Sequence, residues 1–474
     1  MKRYILFFLC LGIGSIQAQV IDIKEFGAKG DGTSDDTKAI QQAIDQASKD
    51  KLHLRFPAGT YMTGMIHLKS NISIELQAGA TWQAIPDLSL YPEIDSRADL
   101  SQTGWYTMSR RAFIFGDNVE NVTLKGEGRI YPSGDHYEAF PNLEENGSKR
   151  PYGIYFRNSS NIKVEGLQLY KSAFWMFRAY LCEDVHLTGL DIFNHANTNN
   201  DGIDIVDCHR VRISDCTIDS ADDAISLKTE APKGCEDVVI TNCIVSSTAS
   251  YIKLGTGSFG SFKRIAVSNC VLRPTRADTL IHALKYQNGI TGLSLMSVDG
   301  ADIENISFSN IVMSGMLTPI FVRLGNRHRV THEEYASHPI TAGTIKNIAY
   351  DNITATDCGP LPINITGYPG HYVEGVRISD SSFSFGSAGS ANDRDSAVPE
   401  NSDSYPYPKM YGTDLPAFGF YGRHIDGIKW NNVDFYPAEN EVRPPLVLED
   451  VKGFDHKALY IQGKTASQQH IIKK

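Results

Sequence analysis

The sequence predicts an all-β protein, a right-handed parallel β-helix whose stacked coils are closed at the N-terminal end by a helix. Three observations predict it: a repeat running through most of the chain, the strand-like composition of each repeat, and the position of its turn residues. Val164-Glu165-Gly166-Leu167, Leu187-Thr188-Gly189-Leu190, Ile213-Ser214-Asp215-Cys216, Ile240-Thr241-Asn242-Cys243, Val267-Ser268-Asn269-Cys270, Phe308-Ser309-Asn310-Ile311 and Tyr350-Asp351-Asn352-Ile353 share one pattern: apolar, usually polar, Gly/Asn/Asp, apolar. The steps between their last positions are 23, 26, 27, 27, 41 and 42 residues. Looser copies occur at Leu124-Lys125-Gly126, Ile378-Ser379-Asp380 and Trp430-Asn431-Asn432-Val433. A period of this size marks a solenoid, in which no coil buries a core alone and stacking builds one. Each repeat holds short alternating segments rich in Val, Ile, Thr and Phe, with Gly, Asn or Asp where the backbone must turn through left-handed angles. A leucine-rich horseshoe would need a regular Leu ladder and even steps, which these are not.

Taken in chain order, residues 1–18 read as a cleavable export signal. Lys2-Arg3 are followed by a mostly apolar run from Tyr4 to Ile13, with Ser15-Ile16-Gln17-Ala18 before Gln19 as the cleavage region. The run is too short for a mature membrane span, and Phe8-Leu9 before Cys10 lack the small residues of a lipid-anchor signal. A periplasmic or secreted protein with no membrane attachment after processing is expected. Residues 19–474 read as one β-helix domain, with 19–60 forming the cap and first coil. Glycines in Phe26-Gly27-Ala28-Lys29-Gly30-Asp31-Gly32 mark turns, and Ser34 or Asp35 is placed to cap a helix over Thr37 to Ile44. Such a helix would cover an open sheet end that otherwise invites pairing. Residues 386–417, rich in Ser, Asp, Asn and Pro, read as a long loop before the coil resumes near Phe418. Loops of this size on a solenoid wall a cleft, which favours action at chain ends.

The 45 Lys and Arg stand against 55 Asp and Glu, a net charge of −10, and loss of the leader's two cations makes it about −12. This argues against nucleic acid as the main partner while leaving room for a local basic patch and an anionic substrate. A monomer is expected. The leader apart, cysteines fall at 182, 208, 216, 235, 243, 270 and 358. Cys216, Cys243 and Cys270 share one repeat position and read as an interior column of small apolar side chains. No metal-ligand spacing such as CxxC is present.

Two acidic clusters lie one repeat apart: Asn199-Asn200-Asp201-Gly202-Ile203-Asp204, and Asp222-Asp223 within Ser220 to Ile225. Adjacent coils sit about 4.8 Å apart, so Asp201, Asp222 and Asp223 should crowd one patch. Like charges that close raise at least one pKa. A protonated acid beside an ionised base is what hydrolysis of a glycosidic bond needs. Carboxylates that only mark turns or bind a cation are the alternative.

These residues resemble glycoside hydrolase family 28, the polygalacturonases and rhamnogalacturonan hydrolases that degrade pectin. The 199–204 run looks like the family's Asn-Thr-Asp-Gly-x-Asp motif and Asp222-Asp223 like its Asp-Asp motif. The order from Phe26 to Ile44, through Phe56-Pro57-Ala58-Gly59-Thr60-Tyr61 and Ala78-Gly79-Ala80-Thr81 to Asn310, follows the family as well. The resemblance implies an inverting hydrolase without metal or organic cofactor, acting on a pectin-type polysaccharide or oligosaccharide. In it Asp222 would be the general acid, Asp201 and Asp223 would hold and activate water, Asn199 would orient water or a hydroxyl, and Asp204 would support them. The chain departs from the family at two places. Ser250 stands where a Gly-His-Gly histidine is usual, and Ser294 and Met296 stand where Arg-x-Lys grips the galacturonate carboxylate. A changed sugar preference is expected, with rhamnogalacturonan as one option. Lys228, Lys253, Lys285, Arg323 and Arg327 are candidates for a substitute grip, and His371 for a sugar contact. Trp105, Tyr106, Trp175 and Tyr286 could stack on sugar rings, although Trp175 beside Phe174 and Phe177 reads better as core. Two other classes remain open: a β-helix polysaccharide lyase using Ca²⁺, and a glycan-binding β-helix without activity.

Overall fold

A computed structural model describes residues 20–94, 109–141, 149–278, 288–330 and 333–474. The expected export signal lies outside the described residues. The middle coils each carry three strands, two of which run together into one long strand from Phe262–Leu272 onward, and apart from the antiparallel C-terminal pair Leu446–Ile461 and Lys464–Thr465 the strands pair in parallel from coil to coil. One sheet runs through Phe177–Tyr180, Ile203–Val206, Ile225–Thr229, Ser250–Ser258, Thr291–Ser297, Thr318–Leu324 and Ile363–Thr366. Its register places Ile203, Ile225, Ile252, Leu293 and Ile320 in one column, and Ile205, Leu227, Leu254, Leu295 and Val322 in the next. All ten are buried. The second sheet repeats the arrangement with Ile213, Ile240, Val267, Phe308, Tyr350, Ile378 and Trp430. Parallel β-helix is therefore the fold, and its core is the stack of inward columns that the repeat implied.

The Gly/Asn/Asp position of the repeat does what its chemistry suggests. Gly126, Gly166, Gly189, Asp215, Asn242, Asn269, Asn310, Asn352, Asp380 and Asn432 all have positive φ, the left-handed turn that glycine, asparagine and aspartate tolerate best. The side chains also hydrogen-bond along the stack: Asn242 to Asp215 at 3.2 Å, Asn310 to Asn269 at 3.1 Å, Asn352 to Asn310 at 2.9 Å and Asn432 to Asp380 at 2.7 Å. A second ladder, Asn71–Asn121–Asn161, escaped the sequence reading and has two bonds of 2.7 Å.

The seven described cysteines are buried and free. Besides the expected 216–243–270 column there is another, in which Cys182, Cys208 and Cys235 occupy equivalent places on consecutive coils. The N-terminal helix runs from Thr37 to Asp50, longer than expected, and buries Ile40, Ala43, Ile44 and Ala47. Its cap differs from the expectation. Asp36 is the N-cap residue but turns away from the helix to accept the Lys29 and Gly30 N–H groups at 2.7 and 3.0 Å, while Asp35 accepts from Thr37 N at 2.9 Å. Ser34 instead donates its hydroxyl to Asp31.

The 386–417 segment is a loop with one short helix, Ala391–Arg394, and the coil resumes at Phe420. Three buried arginines hold it by backbone carbonyls. Arg323 donates to Glu400 O and Asn401 O, Arg423 to Val398 O and Pro399 O, and Arg443 to Asp414 O and Leu415 O. Irregular backbone with this many satisfied carbonyls is a fixed wall.

Candidate active site

The acids sit on turns between the third strand of one coil and the first of the next. Backbone bonds knit those turns together: Met176 N donates to Asp201 O, Gly202 N to Asp223 O, and Ala224 N to Ser250 O, at 2.9–3.0 Å. Gly202 lets the turns approach, since a Cβ there would lie 2.6 Å from Ala224 O. The asparagines of the turn tie it to the previous coil. Asn194 takes Ser172 N and donates to Asp201 O, and Asn200 donates to Ser172 O and Phe174 O. Arg150, stacked on Phe174, donates to Asn197, Thr198 and Asn199. The polar residues around Asp201 thus satisfy one another and leave its carboxylate aimed into the pocket.

One oxygen each of Asp201, Asp222 and Asp223 lies within 4.8 Å of the others. The pocket around them is lined by Trp175, Asn199, Lys228, Glu230, Lys253, Thr256, Gly257, Arg329 and Tyr405. Two lysines from the floor of the sheet divide the negative charge. Lys253 Nζ donates to Asp223 Oδ2 at 2.6 Å, and the Ser250 N–H approaches Asp223 Oδ1 at 3.3 Å. Lys228 Nζ lies 3.2 Å from Asp201 Oδ2 and also contacts Asp204 Oδ1, with the Trp175 ring centroid 4.1 Å away.

Protonation follows from this division. Burial and the Asp223 charge push Asp222 up to about 7. Burial, opposed by Lys228 and reinforced by Asp222 and Asp223, pushes Asp201 up to about 8. Asp223 goes the other way: burial opposes its charge, but the Lys253 and Lys228 ammoniums hold it below the usual carboxylate range. Asp204 is pushed well up by burial and by Asp201, despite its contact with Lys228. The physical reason is that one ammonium faces two buried carboxylates, so one of them keeps a proton; among the described residues Asp204 Oδ2 has no hydrogen-bond partner. Among the three grouped acids, Asp222 is the most exposed and Asp223 the most firmly ionised. A protonated acid open to the cleft therefore stands beside a charged base.

The remaining sequence candidates are dispersed. Asn199 and both lysines line the pocket, and Ser250 contacts it through its backbone. Arg323 is fully buried and holds the long loop, also donating to Thr366 and Gly367; its guanidinium is committed to that scaffold instead of a substrate. Arg327 grips Asp299 with two nitrogens and donates to Thr256 O at 2.8 Å. His371 stacks on Tyr368 at 4.3 Å in a turn after Ile363–Thr366, several coils from the acids. Lys285, Trp105, Tyr106 and Tyr286 lie outside the described residues. Ser294 and Met296 are buried, with Ser294 Oγ on Thr291 Oγ1 at 2.6 Å.

Five lining residues escaped the sequence reading, while Trp175 is buried in the core as expected and also edges the pocket. Glu230 had a signal, because Ser226, Lys228 and Glu230 alternate along one strand and its exit. It is paired with buried Arg178 at 2.8 Å, whose guanidinium lies among Tyr152, Tyr155, Trp175 and Tyr180. Thr256 and Gly257 follow Lys253 on its strand. Arg329 and Tyr405 come from irregular segments, where no periodicity exists to place them.

The sequence profile of glycosyl hydrolases family 28 matches residues 47–399. A probable polygalacturonase of Vitis vinifera is 31% identical over 231 residues, 45% of this chain and 45% of that one. The chain spans about half the length of such curated relatives. Among solved structures, the exopolygalacturonase of Thermotoga maritima superposes with a TM-score of 0.65 at 21% identity, covering 88% of this chain and 91% of that one. The family 28 exopolygalacturonase of Yersinia enterocolitica gives 0.68 at 18%, covering 92% and 78%. With the family profile matching most of its length and its acidic motifs gathered in one pocket, the chain belongs to glycosyl hydrolases family 28.

Proposed function

We propose that the protein is an exported glycoside hydrolase that removes sugar from the ends of a pectin-type galacturonan chain by direct water attack. The observation that carries this is the split in protonation across three adjacent carboxylates, Asp222 pushed up and Asp223 held down. Asp222 gives its proton to the glycosidic oxygen as the C–O bond breaks. Water, held by Asp201 and Asp223, forms the new bond to the anomeric carbon and passes its proton to Asp223. The products are a saturated sugar and a shortened chain. Oxygens within 4.8 Å are closer than the roughly 6.5–9.5 Å usual for inverting pairs. In this reading the close set grips the water, and the anomer formed first, read by NMR, distinguishes inversion from retention.

Named polygalacturonases and exopolygalacturonases among the relatives support the galacturonan substrate. Action at chain ends is supported by the anchored 386–417 loop, whose Tyr405 enters the pocket wall. Ser294 and Met296 keep rhamnogalacturonan open as a second backbone. The lyase reading is disfavoured by Lys228 and Lys253. Their ammoniums already sit on Asp201 and Asp223, where a Ca²⁺ ion would bind, and Asp neighbours hold both lysines protonated against the effect of burial. The test is release of reducing sugar from homogalacturonan and rhamnogalacturonan oligomers with and without chelator. Saturated products that ignore chelator support the hydrolase. An unsaturated, ultraviolet-absorbing product that chelator abolishes would replace it with a lyase.

A further inference from the structure

Asp219 and His195 form a buried pair at the root of both acid-bearing turns. Asp219 stands three residues before Asp222 in the strand Thr217–Ser220, and His195 opens the turn that carries Asn199 and Asp201, one coil earlier. Their side chains meet at 2.8 Å, His195 Nε2 to Asp219 Oδ1, and both residues are buried. The Thr275 hydroxyl donates to the same Oδ1 at 2.5 Å and lies 3.2 Å from His195 Nε2, while the Arg276 N–H donates to Asp219 Oδ2 at 3.0 Å. Thr275 and Arg276 follow Phe262–Leu272, two coils beyond Asp219, so one carboxylate joins the two acid-bearing turns to a segment that reaches back over them. Burial opposes the Asp219 charge, but His195, Thr275 and the Arg276 N–H hold it below the usual carboxylate range. The column containing this pair changes character here. Tyr170, Phe193, Asp219 and Ser246 are in register on consecutive coils, with Tyr170 stacked on Phe193 at 5.7 Å and His195 folded over Phe193 at 4.8 Å. Another ring at 219 would have extended the stack without burying a polar group. Buried polar pairs add little net stability over apolar packing, but they fix distance and direction. Among the described residues His195 Nδ1 has no hydrogen-bond partner, so the hydrogen bonds of the imidazole run through Nε2, toward Asp219 and Thr275.

We propose that His195 and Asp219 are positioning residues for hydrolysis: their bond fixes the Asp201 turn against the Asp222-Asp223 turn, and so fixes where the attacking water sits between Asp201 and Asp223. The inference rests on the hydrolase reading of the pocket and deepens it. Neither side chain lines the pocket, so both act through the turns they join. Displacing reacting groups by about 1 Å costs on the order of 10²-fold in rate, whereas the contacts that hold the sugar on the pocket walls stay in place.

His195→Leu should lower kcat about 10- to 100-fold with KM within about twofold, on an oligogalacturonide and on a 4-nitrophenyl galacturonide alike, because the same water attacks both. His195→Gln keeps a donor for Asp219 and should recover most of the loss. Circular dichroism melts set a temperature at which each variant is folded. Should His195→Leu not fold, Thr275→Val takes its place, with an expected loss of about 3- to 10-fold in kcat. Carbon NMR titration of the aspartate carboxyls in the free protein reads the geometry without turnover. Lys228, Asp222 and Asp223 all act on Asp201 from the next coil, so a displaced turn should move the Asp201 midpoint by about half a pH unit or more. An unmoved Asp201 midpoint, a kcat within about twofold of wild type, a loss confined to KM, or a His195→Gln no better than His195→Leu overturns the proposal. No release of sugar from any galacturonan would overturn the hydrolase reading alone, the Asp201 midpoint then deciding the role of the pair.

Discussion

Lys253 and Asp223 stand one coil apart, and their side chains meet at 2.6 Å on the cleft side of the sheet. The lysine sits in register with Ser226 on the coil below, and the aspartate lies on the turn leading into that coil. Stacking, not sequence proximity, makes the pair, and the pair keeps one of three crowded carboxylates ionised.

Replacing Lys253 with Met should therefore raise the Asp223 pKa and move the acidic limb of the kcat/KM profile to higher pH. Activity at neutral pH should fall on the order of 10²-fold or more. Removing one partner of a buried pair costs about 3–5 kcal/mol, so a melting curve should accompany the pH profile. An unmoved acidic limb would separate Lys253 from the base.

Activity should decline as pH rises through about 7, where Asp222 loses its proton. Stability has the same sign. Asp201 and Asp222 are raised from 3.8 to about 8 and about 7, so between these limits the unfolded chain is ionised while the folded one keeps protons, and stability falls with rising pH. Below 3.8 the sign reverses through Asp223. Urea midpoints at pH 5 and pH 8.5 should differ in favour of pH 5, and the gap should shrink in Asp201→Asn/Asp222→Asn.

Gly202→Ala places a methyl 2.6 Å from Ala224 O and 2.7 Å from Ile218 Cγ2. Overpacking of this kind costs about 1–3 kcal/mol. The turn must shift relative to its neighbour, so thermal midpoint and activity should drop together.

The long loop's effect on cleavage pattern can be read from products. Arg423 donates to Val398 O and Pro399 O, and Tyr405 stands further along the same loop. Arg423→Ala with Tyr405→Ala should loosen the wall and add internal cleavage products to a terminal pattern in chromatograms of digested homogalacturonan. An unchanged product ladder would remove the loop from the choice of cleavage site.

What the sequence disclosed tracks what repeats. The inward columns, the left-handed turn residues and the proximity of Asp201 to Asp222-Asp223 all follow from a stacking period, so residue spacing was enough to find them. Lys228 and Lys253 were accessible for the same reason, being on strands of known register. Arg323, Arg327 and Arg329 were not separable, because they lie at and beyond a strand end where neither period nor face assigns direction. Only the contacts with Asp299 and the long loop distinguish scaffold from pocket. Tyr405 lies likewise within the aperiodic 386–417 segment, and the Cys182–Cys208–Cys235 column occupies a coil position different from that of the Gly/Asn/Asp repeat, so the repeat does not point to it.

In the proposed reaction Asp222 protonates the leaving oxygen. The direct measurement compares wild type and Asp222→Asn on an oligogalacturonide and on a 4-nitrophenyl galacturonide, whose leaving group needs little protonation. Asp222→Asn should lose on the order of 10³-fold or more on the oligosaccharide and much less on the nitrophenyl substrate. Equal losses on both, or an oligosaccharide rate that Asp222→Asn leaves intact, would contradict it.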